Sequence, residues 1–287
     1  MPQFSRPTSL DDALSALRDS PWLVLAGATD VYPAAANRTA WGEPGLMHPA
    51  AAPVMDISGL PELQGIYQVD GAHEIGALVT WTELIQAQLP PWFDCLRLAA
   101  KEVGGHQIQN RGTIAGNLCN ASPAADGVPA LLALDARLRL RSRSAQREVP
   151  LTGFITGNRR TALQPDELVT TIIVPHPPPA SRSAFLKLGA RRYLVISIAM
   201  AALCVQVQEG LIEDIRIAVG ACSEVAVRLR ALEAWLRGSE AGAAAGLVGP
   251  DDFTELRAID DVRASAAYRV EAAQQLVRRL LTSPVMR

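Results

Sequence analysis

The chain has 287 residues, 49% of them hydrophobic and 20% charged, with a formal net charge of −2. That is enough apolar material for one large or two ordinary domains, and it excludes disorder at scale. The near-neutral balance gives no electrostatic basis for nucleic-acid binding, and no apolar run reaches the roughly 18 residues that span a bilayer.

Pro2 and Pro7 interrupt the N-terminus, and no apolar stretch follows a basic start, so a cytoplasmic protein is expected, unless a partner subunit carries an export signal. Ser9–Asp19 predicts a capped helix: Ser9 at the N-cap, Asp11 and Asp12 in the first turn, and Leu10, Ala13, Leu14 and Leu17 on one stripe. Trp22–Ala26 is a short apolar run ended by glycine, hence a buried strand. Tyr32–Pro53 is rich in Ala and Pro and reads as irregular. Val54–Ile57, Ile66–Val69 and Glu74–Gly76 predict short strands; Trp81–Leu89 and Pro91–Val103 predict helices. Gly104–Asn117 reads as a polar, glycine-rich loop, and Pro129–Leu134 as a short apolar segment with a helical start. Ala136–Arg141 and Leu168–Val174 predict strands, and the basic run Arg137–Arg147 a solvated strand face or hairpin.

Four prolines within Pro175–Ala180 can continue neither a helix nor a central strand, which sets a domain junction there. Beyond it, Ser183–Lys187 and Ile212–Val219 predict strands around the apolar run Val195–Gln206. Val225–Leu236 and Ala264–Leu281 predict helices, joined by a loose Ala/Gly-rich connection over Gly238–Gly249. Runs of strands followed by helices indicate an α+β fold rather than a doubly wound α/β fold. Cys95, Cys119, Cys204 and Cys222 form no CxxC or other short ligand cluster. They are expected to be buried reduced thiols, not iron–sulfur ligands or any other metal set.

Chemistry is concentrated in three segments. In Val24–Val31 a buried strand enters a turn at Gly27, and small residues with Thr29 follow. Such a turn can present backbone N–H groups to a phosphate oxygen without a lysine, and equally it can be an ordinary tight turn. No GxGxxG or GxxxxGK[ST] occurs, which argues against Rossmann and P-loop folds. Gly104–Asn117 is polar yet carries Ile108 and Ile114 as apolar pegs, a mixture typical of pinned loops. The two turns lie about 85 residues apart and together suit a pyrophosphate clamp. In Asn120–Pro129, Asp126 either caps a helix or meets a hydroxyl-rich ligand.

In order and spacing these segments resemble the FAD-binding medium subunits of the molybdenum hydroxylase family, of the xanthine dehydrogenase and carbon monoxide dehydrogenase type. That family shows AGGTDL, then QIRNxxTIGGNxxxASPxxDxxP, then FxKxxxR. Here the matching stretches are AGATDV at Ala26–Val31, QIQNRGTIAGNLCNASPAADGVP at Gln107–Pro129, and Phe185-Leu186-Lys187 with Arg191. Asp261–Arg269 looks like the family's closing helix. The resemblance covers essentially the whole chain.

It implies a two-subdomain FAD-binding domain of the vanillyl-alcohol oxidase (PCMH) type over residues 1–177, divided near residue 58, and a smaller C-terminal α+β domain over 178–287. It also implies noncovalent FAD, with no His or Cys poised for a covalent link. The contacts it implies are Val24, Leu25, Ala26, Gly27, Ala28, Thr29, Asp30 and Val31 in the first turn, and Thr113, Ile114, Ala115, Gly116 and Asn117 in the second. Asp126 and Lys187 would lie beside the flavin, with Val169 as a minor wall. The implied activity is electron transfer. A molybdopterin-binding large subunit hydroxylates the substrate, a [2Fe–2S] small subunit passes electrons on, and the flavin delivers them to NAD+, oxygen or a quinone. A xanthine dehydrogenase-like complex is the preferred reading, and a substantial exposed apolar patch is expected where partners dock. Because the resemblance starts at residue 1, cluster domains are expected on separate chains.

The chain departs from the family pattern in four places. Ala28 and Ala115 replace usual glycines, Gln109 replaces a usual arginine, and Val103 stands where some relatives place a stacking aromatic. Two other classes are weighed against this reading. A self-contained flavin oxidase should carry a larger substrate domain and often a covalent anchor. A flavin-free scaffold would follow if Ala28 and Ala115 had closed the site. His106 reads as a loop or interface residue. Arg191 and Arg192 are candidates for pairing with phosphate, a partner or a nearby carboxylate.

Overall fold

The structure, a computed structural model, describes residues 3–31 and 53–287. Apart from Pro53, the predicted irregular stretch Tyr32–Pro53 lies outside the described residues. The chain opens with β1 (Phe4–Ser5), α1 (Leu10–Asp19), β2 (Leu23–Leu25) and β3 (Val54–Asp56). The three strands form a small parallel sheet in the order β1-β3-β2. Helix α1 forms as its sequence dictates. The Ser9 hydroxyl accepts from the Asp12 N–H at 3.1 Å, and the Leu10, Ala13, Leu14 and Leu17 stripe is buried.

Next come β4 (Ile66–Val69), β5 (Ala72–Gly76), α2 (Trp81–Gln86), α3 (Asp94–Glu102), α4 (Ile114–Asn120) and α5 (Gly127–Ala133). They are followed by β6 (Arg137–Arg141), β7 (Gln146–Pro150), the short hairpin β8 (Ile155–Gly157) and β9 (Arg160–Thr161), and β10 (Leu168–Pro175). A five-stranded antiparallel sheet runs β4-β5-β10-β6-β7. The basic run is the β6–β7 hairpin, and its charges are spent on carboxylates: Arg139 grips Glu74 at 2.8 and 2.9 Å, and Arg147 grips Glu167 at 2.7 and 2.8 Å.

The last part holds β11 (Arg182–Leu188), β12 (Ala199–Gln208), β13 (Leu211–Gly220), β14 (Val227–Arg228), α6 (Arg230–Leu236) and α7 (Ala266–Leu281), with the strands in one antiparallel sheet. Both faces of this sheet are covered. Met200, Ala202 and Cys204 of β12 belong to the first core, while Ala199, Ala201, Leu203 and Val205 belong to a second core closed by α7. Burial on both sides is why β12 reads as a continuous apolar run instead of alternating. Among the described residues no helix is long and apolar enough to cross a membrane.

Three expectations need correction. Gly104–Asn117 is not a plain loop: it contains a helical turn at His106–Gln109 and the start of α4. Val225–Leu236 is not helical throughout, because Val227–Arg228 pair with Ala218–Val219 as an edge strand before the helix begins. Gly238–Gly249 is not loose, since Ala241, Ala244 and Val248 are buried in the second core and Ala244–Leu247 form a short helical turn.

The feature that positions the site is a backbone contact between the two distant turns. A Cβ built on Gly27 would lie 1.9 Å from the Arg111 carbonyl oxygen and 2.9 Å from the Gly112 Cα. Only glycine allows that approach. The next residue, Ala28, holds a left-handed φ of 59°, which an L side chain adopts at a cost of about 1–2 kcal/mol. Gly27→Ala should therefore lower stability by about 1–3 kcal/mol through overpacking. Ala28→Gly should raise it by about 1 kcal/mol through relief of the strained φ. Denaturant midpoints at constant slope read both effects, and an unchanged midpoint for Gly27→Ala would show that the turns are not in contact.

Candidate functional site

Strand β2 ends at Leu25, and the chain turns through Gly27–Asp30, with the Val31 N–H donating to the Ala28 carbonyl at 3.2 Å. The second turn is stitched to the segment before α2: the Trp81 N–H donates to Gly112 O at 3.2 Å, and the Ile114 N–H to Val79 O at 3.1 Å. Between the two turns lies a cavity of about 320 Å³. Val24, Ala26, Gly27, Ala28, Thr29, Asp30, Val31, Thr113, Ala115, Gly116, Asn117 and Val169 all line it. Leu25 lines an adjoining cavity of about 400 Å³ on the other side of the same turn, with Arg111 and Gln107. Ile114, the first residue of α4, is fully buried and lines neither cavity. Asp126 and Lys187 line neither cavity.

The donors that face the first cavity are mostly backbone. Helix α4 starts at a Thr113 N-cap whose hydroxyl accepts from the Gly116 N–H at 2.9 Å. A Cβ on Gly116 would sit 2.7 Å from that hydroxyl, so glycine keeps the cap intact. The N–H of Ala115, second in the helix, has no acceptor within the helix, and the helix start carries partial positive charge. Asn117 lines the cavity, and its Oδ1 is buried beside Gly127 without a hydrogen-bond partner. Among the described lining residues there is no Lys or Arg; Arg111 belongs to the adjoining cavity. Backbone N–H groups, two threonine hydroxyls and an unpaired amide oxygen fit a dinucleotide with a pyrophosphate centre.

The four departures from the family pattern leave this cavity open. The Ala28 Cβ is accommodated at its left-handed φ, and Ala115 sits in right-handed helix where a Cβ adds no backbone strain. Val103 lines the cavity as an apolar wall. Gln109 faces away: its buried amide donates to Lys101 O at 3.3 Å and Val103 O at 3.2 Å, closing the end of α3.

Asp126 occupies the N-cap position of α5 but makes no capping bond. Its carboxylate instead accepts from Lys187 Nζ at 2.8 Å and from the Ser197 hydroxyl at 2.6 Å, while Lys187 also donates to Glu102 O at 3.3 Å. The cluster ties α3 and α5 to β11 and β12. Burial pushes the Asp126 carboxyl up, against the opposing pull of Lys187 and Ser197. Arg191 braces its own turn through Leu194 O, Arg192 lies 5.4 Å from the Tyr193 ring centroid, and His106 is exposed. Cys95, Cys204 and Cys222 are buried, but Cys119 is exposed at the cavity wall, correcting the expectation for that thiol. Among the described residues no cluster of metal-ligating side chains occurs.

Sequence reasoning missed Trp81, Leu163 and Glu167 as lining residues. Only Trp81 had a local signal, the Thr80–Glu83 capping box that starts α2 just ahead of it.

Lys187→Met would leave Asp126 buried without its cation and should cost about 3–5 kcal/mol near neutral pH. The carboxyl of that variant would have a folded pKa above its unfolded one, so part of the lost stability should return on acidification and vanish again as pH rises. Denaturant melts across pH check this; a variant as stable as wild type would mean the pair is not buried as described.

Comparison with known proteins identifies the family. Residues 1–177 match the family described as the FAD binding domain in molybdopterin dehydrogenase, and residues 184–283 match the CO dehydrogenase flavoprotein C-terminal domain. The chain is 36% identical over 214 residues to the nicotinate dehydrogenase FAD-subunit of Eubacterium barkeri, covering 72% of this chain and 69% of that relative. It is 28% identical to the xanthine dehydrogenase FAD-binding subunit of Escherichia coli O157:H7, covering 98% of this chain and 95% of the relative. Among solved structures, the carbon monoxide dehydrogenase of Hydrogenophaga pseudoflava superposes with a TM-score of 0.83 at 28% identity, covering 98% of this chain and 96% of that one. A mixed helix-and-strand chain with two facing small-residue turns, matched along its length in this way, belongs to the FAD-binding subunits of the molybdenum hydroxylase family of oxidoreductases.

Proposed function

We propose that this chain holds FAD noncovalently between the Val24–Val31 and Thr113–Asn117 turns and acts as the electron-transfer subunit of a cytoplasmic three-component complex. A molybdopterin-binding large subunit would hydroxylate the substrate, a [2Fe–2S] small subunit would deliver electrons, and NAD+, oxygen or a quinone would accept them. Bound flavin supplies the exchange between one- and two-electron chemistry. The protein's part is binding and orientation. The first turn and the first turn of α4 present N–H groups, the Asn117 amide oxygen waits for a donor, and Val103, Val169 and Trp81 exclude water along the apolar wall.

The observation that carries this reading is the convergence of the two turns on one cavity. A xanthine dehydrogenase-like complex is the preferred assignment; the near full-length match to a xanthine dehydrogenase subunit is consistent with it, as an equal match to a carbon monoxide dehydrogenase medium chain is with the rival substrate. We also propose that the division into domains follows residues 1–177, with subdomains meeting near residue 58, and 178–287. Asp126 and Lys187 line neither cavity, and their buried ion pair fits a supporting role behind the flavin site, joining the start of α5 to β11. Tyr193, Leu194 and Ile196, all more than half exposed within four residues, supply the apolar surface expected of a docking subunit.

Adding FAD to the purified chain should produce absorbance near roughly 370 and 450 nm in the bound fraction. Asn117→Ala should weaken binding by about three- to tenfold, the worth of one hydrogen bond. A chain that takes up no FAD would favour the scaffold reading, and flavin bleached by an organic substrate without partner subunits would favour a self-contained oxidase.

A further inference from the structure

A histidine pair outside the cavity lining packs against the turn that meets β11. His73, 7% exposed on β5, and His176, exposed just beyond β10, face each other with Nδ1 and Nε2 at 3.1 Å. His176 is held there by its backbone N–H, which donates to Gly71 O at 2.8 Å. The His73 ring stands edge-on to Trp92 and Phe93, at centroid distances of 5.3 and 5.1 Å, and those two rings stack on each other at 4.2 Å. The same turn grips the C-terminal sheet. The Ser183 hydroxyl on β11 donates to Trp92 O at 2.8 Å and accepts from the Cys95 N–H at 2.8 Å.

We propose that the His73–His176 pair is a proton-operated release for the contact between the Pro91–Phe93 turn and β11. In the neutral pair one imidazole donates and the other accepts. A first proton on the pair preserves the bond, because the ring that carries it donates to the one that stays neutral. A second proton leaves N–H facing N–H and sets two positive charges at hydrogen-bond distance. Among the described residues no carboxylate is paired with either ring. The cross-strand neighbours of His73 are Gln68 on β4 and Val174 on β10, and the rings against it are Trp92, Phe93 and His176. Asp94, next to the aromatic turn, is engaged by Arg97, and Glu74, next to His73, by Arg139. Burial and the charge on His176 hold His73 below its ordinary value of 6.5, and Asp70 in the adjoining turn does not offset them. The sign follows: the folded pair binds fewer protons than the separated rings. The contact is therefore fully stable above the ordinary histidine range and weakens as pH falls through and below it.

Hydrogen exchange of the full chain, corrected for intrinsic rates and compared at about pH 7.5 and about pH 5.5, tests this on either side of the histidine range. Exchange over residues 91–95 and 182–186 should quicken by about tenfold at the lower pH while α7 stays protected. His176→Gln, an exposed substitution whose amide can either donate to or accept from His73, should abolish that response. His73→Phe, which fills the aromatic pocket without a titrating group, should abolish it as well. An equal acid response in wild type and His176→Gln would overturn the proposal, as would a wild type with no local response.

Discussion

The approach of the Gly27 Cα to the Arg111 carbonyl is the constraint on which the site depends. It brings together two turns that lie about 85 residues apart in the chain, and it does so with backbone alone. Everything that recommends the cavity for a dinucleotide follows from it. The first turn and the capped start of α4 line one space, together with Asn117, whose buried oxygen has no partner. The site needs no lining cation because the donors are main-chain groups, fixed before any ligand arrives.

Around this contact, buried polar networks lock the two cores together. Asp126 gathers Lys187 from β11 and Ser197 from the loop before β12. Arg228, 7% exposed, pairs with buried Glu233 and donates to Leu132 O at 3.1 Å at the end of α5. Arg269, 1% exposed, donates to Ile198 O at 2.6 Å and Ala221 O at 2.7 Å, fixing the loop that ends at Ser197. Charges this deeply buried stabilise little in net terms, but losing one partner is costly, so such networks hold a single arrangement of the two parts. The cavity, with walls from β2, α4 and β10, inherits that rigidity.

Much of this was legible in the sequence because it is local. The α1 cap and stripe and the β6–β7 hairpin each follow from neighbouring residues. The AGATDV and TIAGN segments were recognisable as paired turns by resemblance, and the structure brings them to one cavity. Non-local facts were not legible. Gln109 looks like a lost charge in the sequence, yet its amide closes α3. Asp126 admits a capping role until Lys187 arrives from 61 residues further along the chain. The strand at Val227–Arg228 looks helical until β13 offers it an edge. Cys119 is an ordinary small apolar residue in composition, and only the shape of the cavity exposes it.

The most direct test is an experimental structure of the chain with FAD bound. The account predicts the diphosphate lying between Ala26–Thr29 and Thr113–Asn117, with a ligand donor on the Asn117 oxygen. A dinucleotide seated elsewhere, leaving that cavity filled only by solvent, would contradict it.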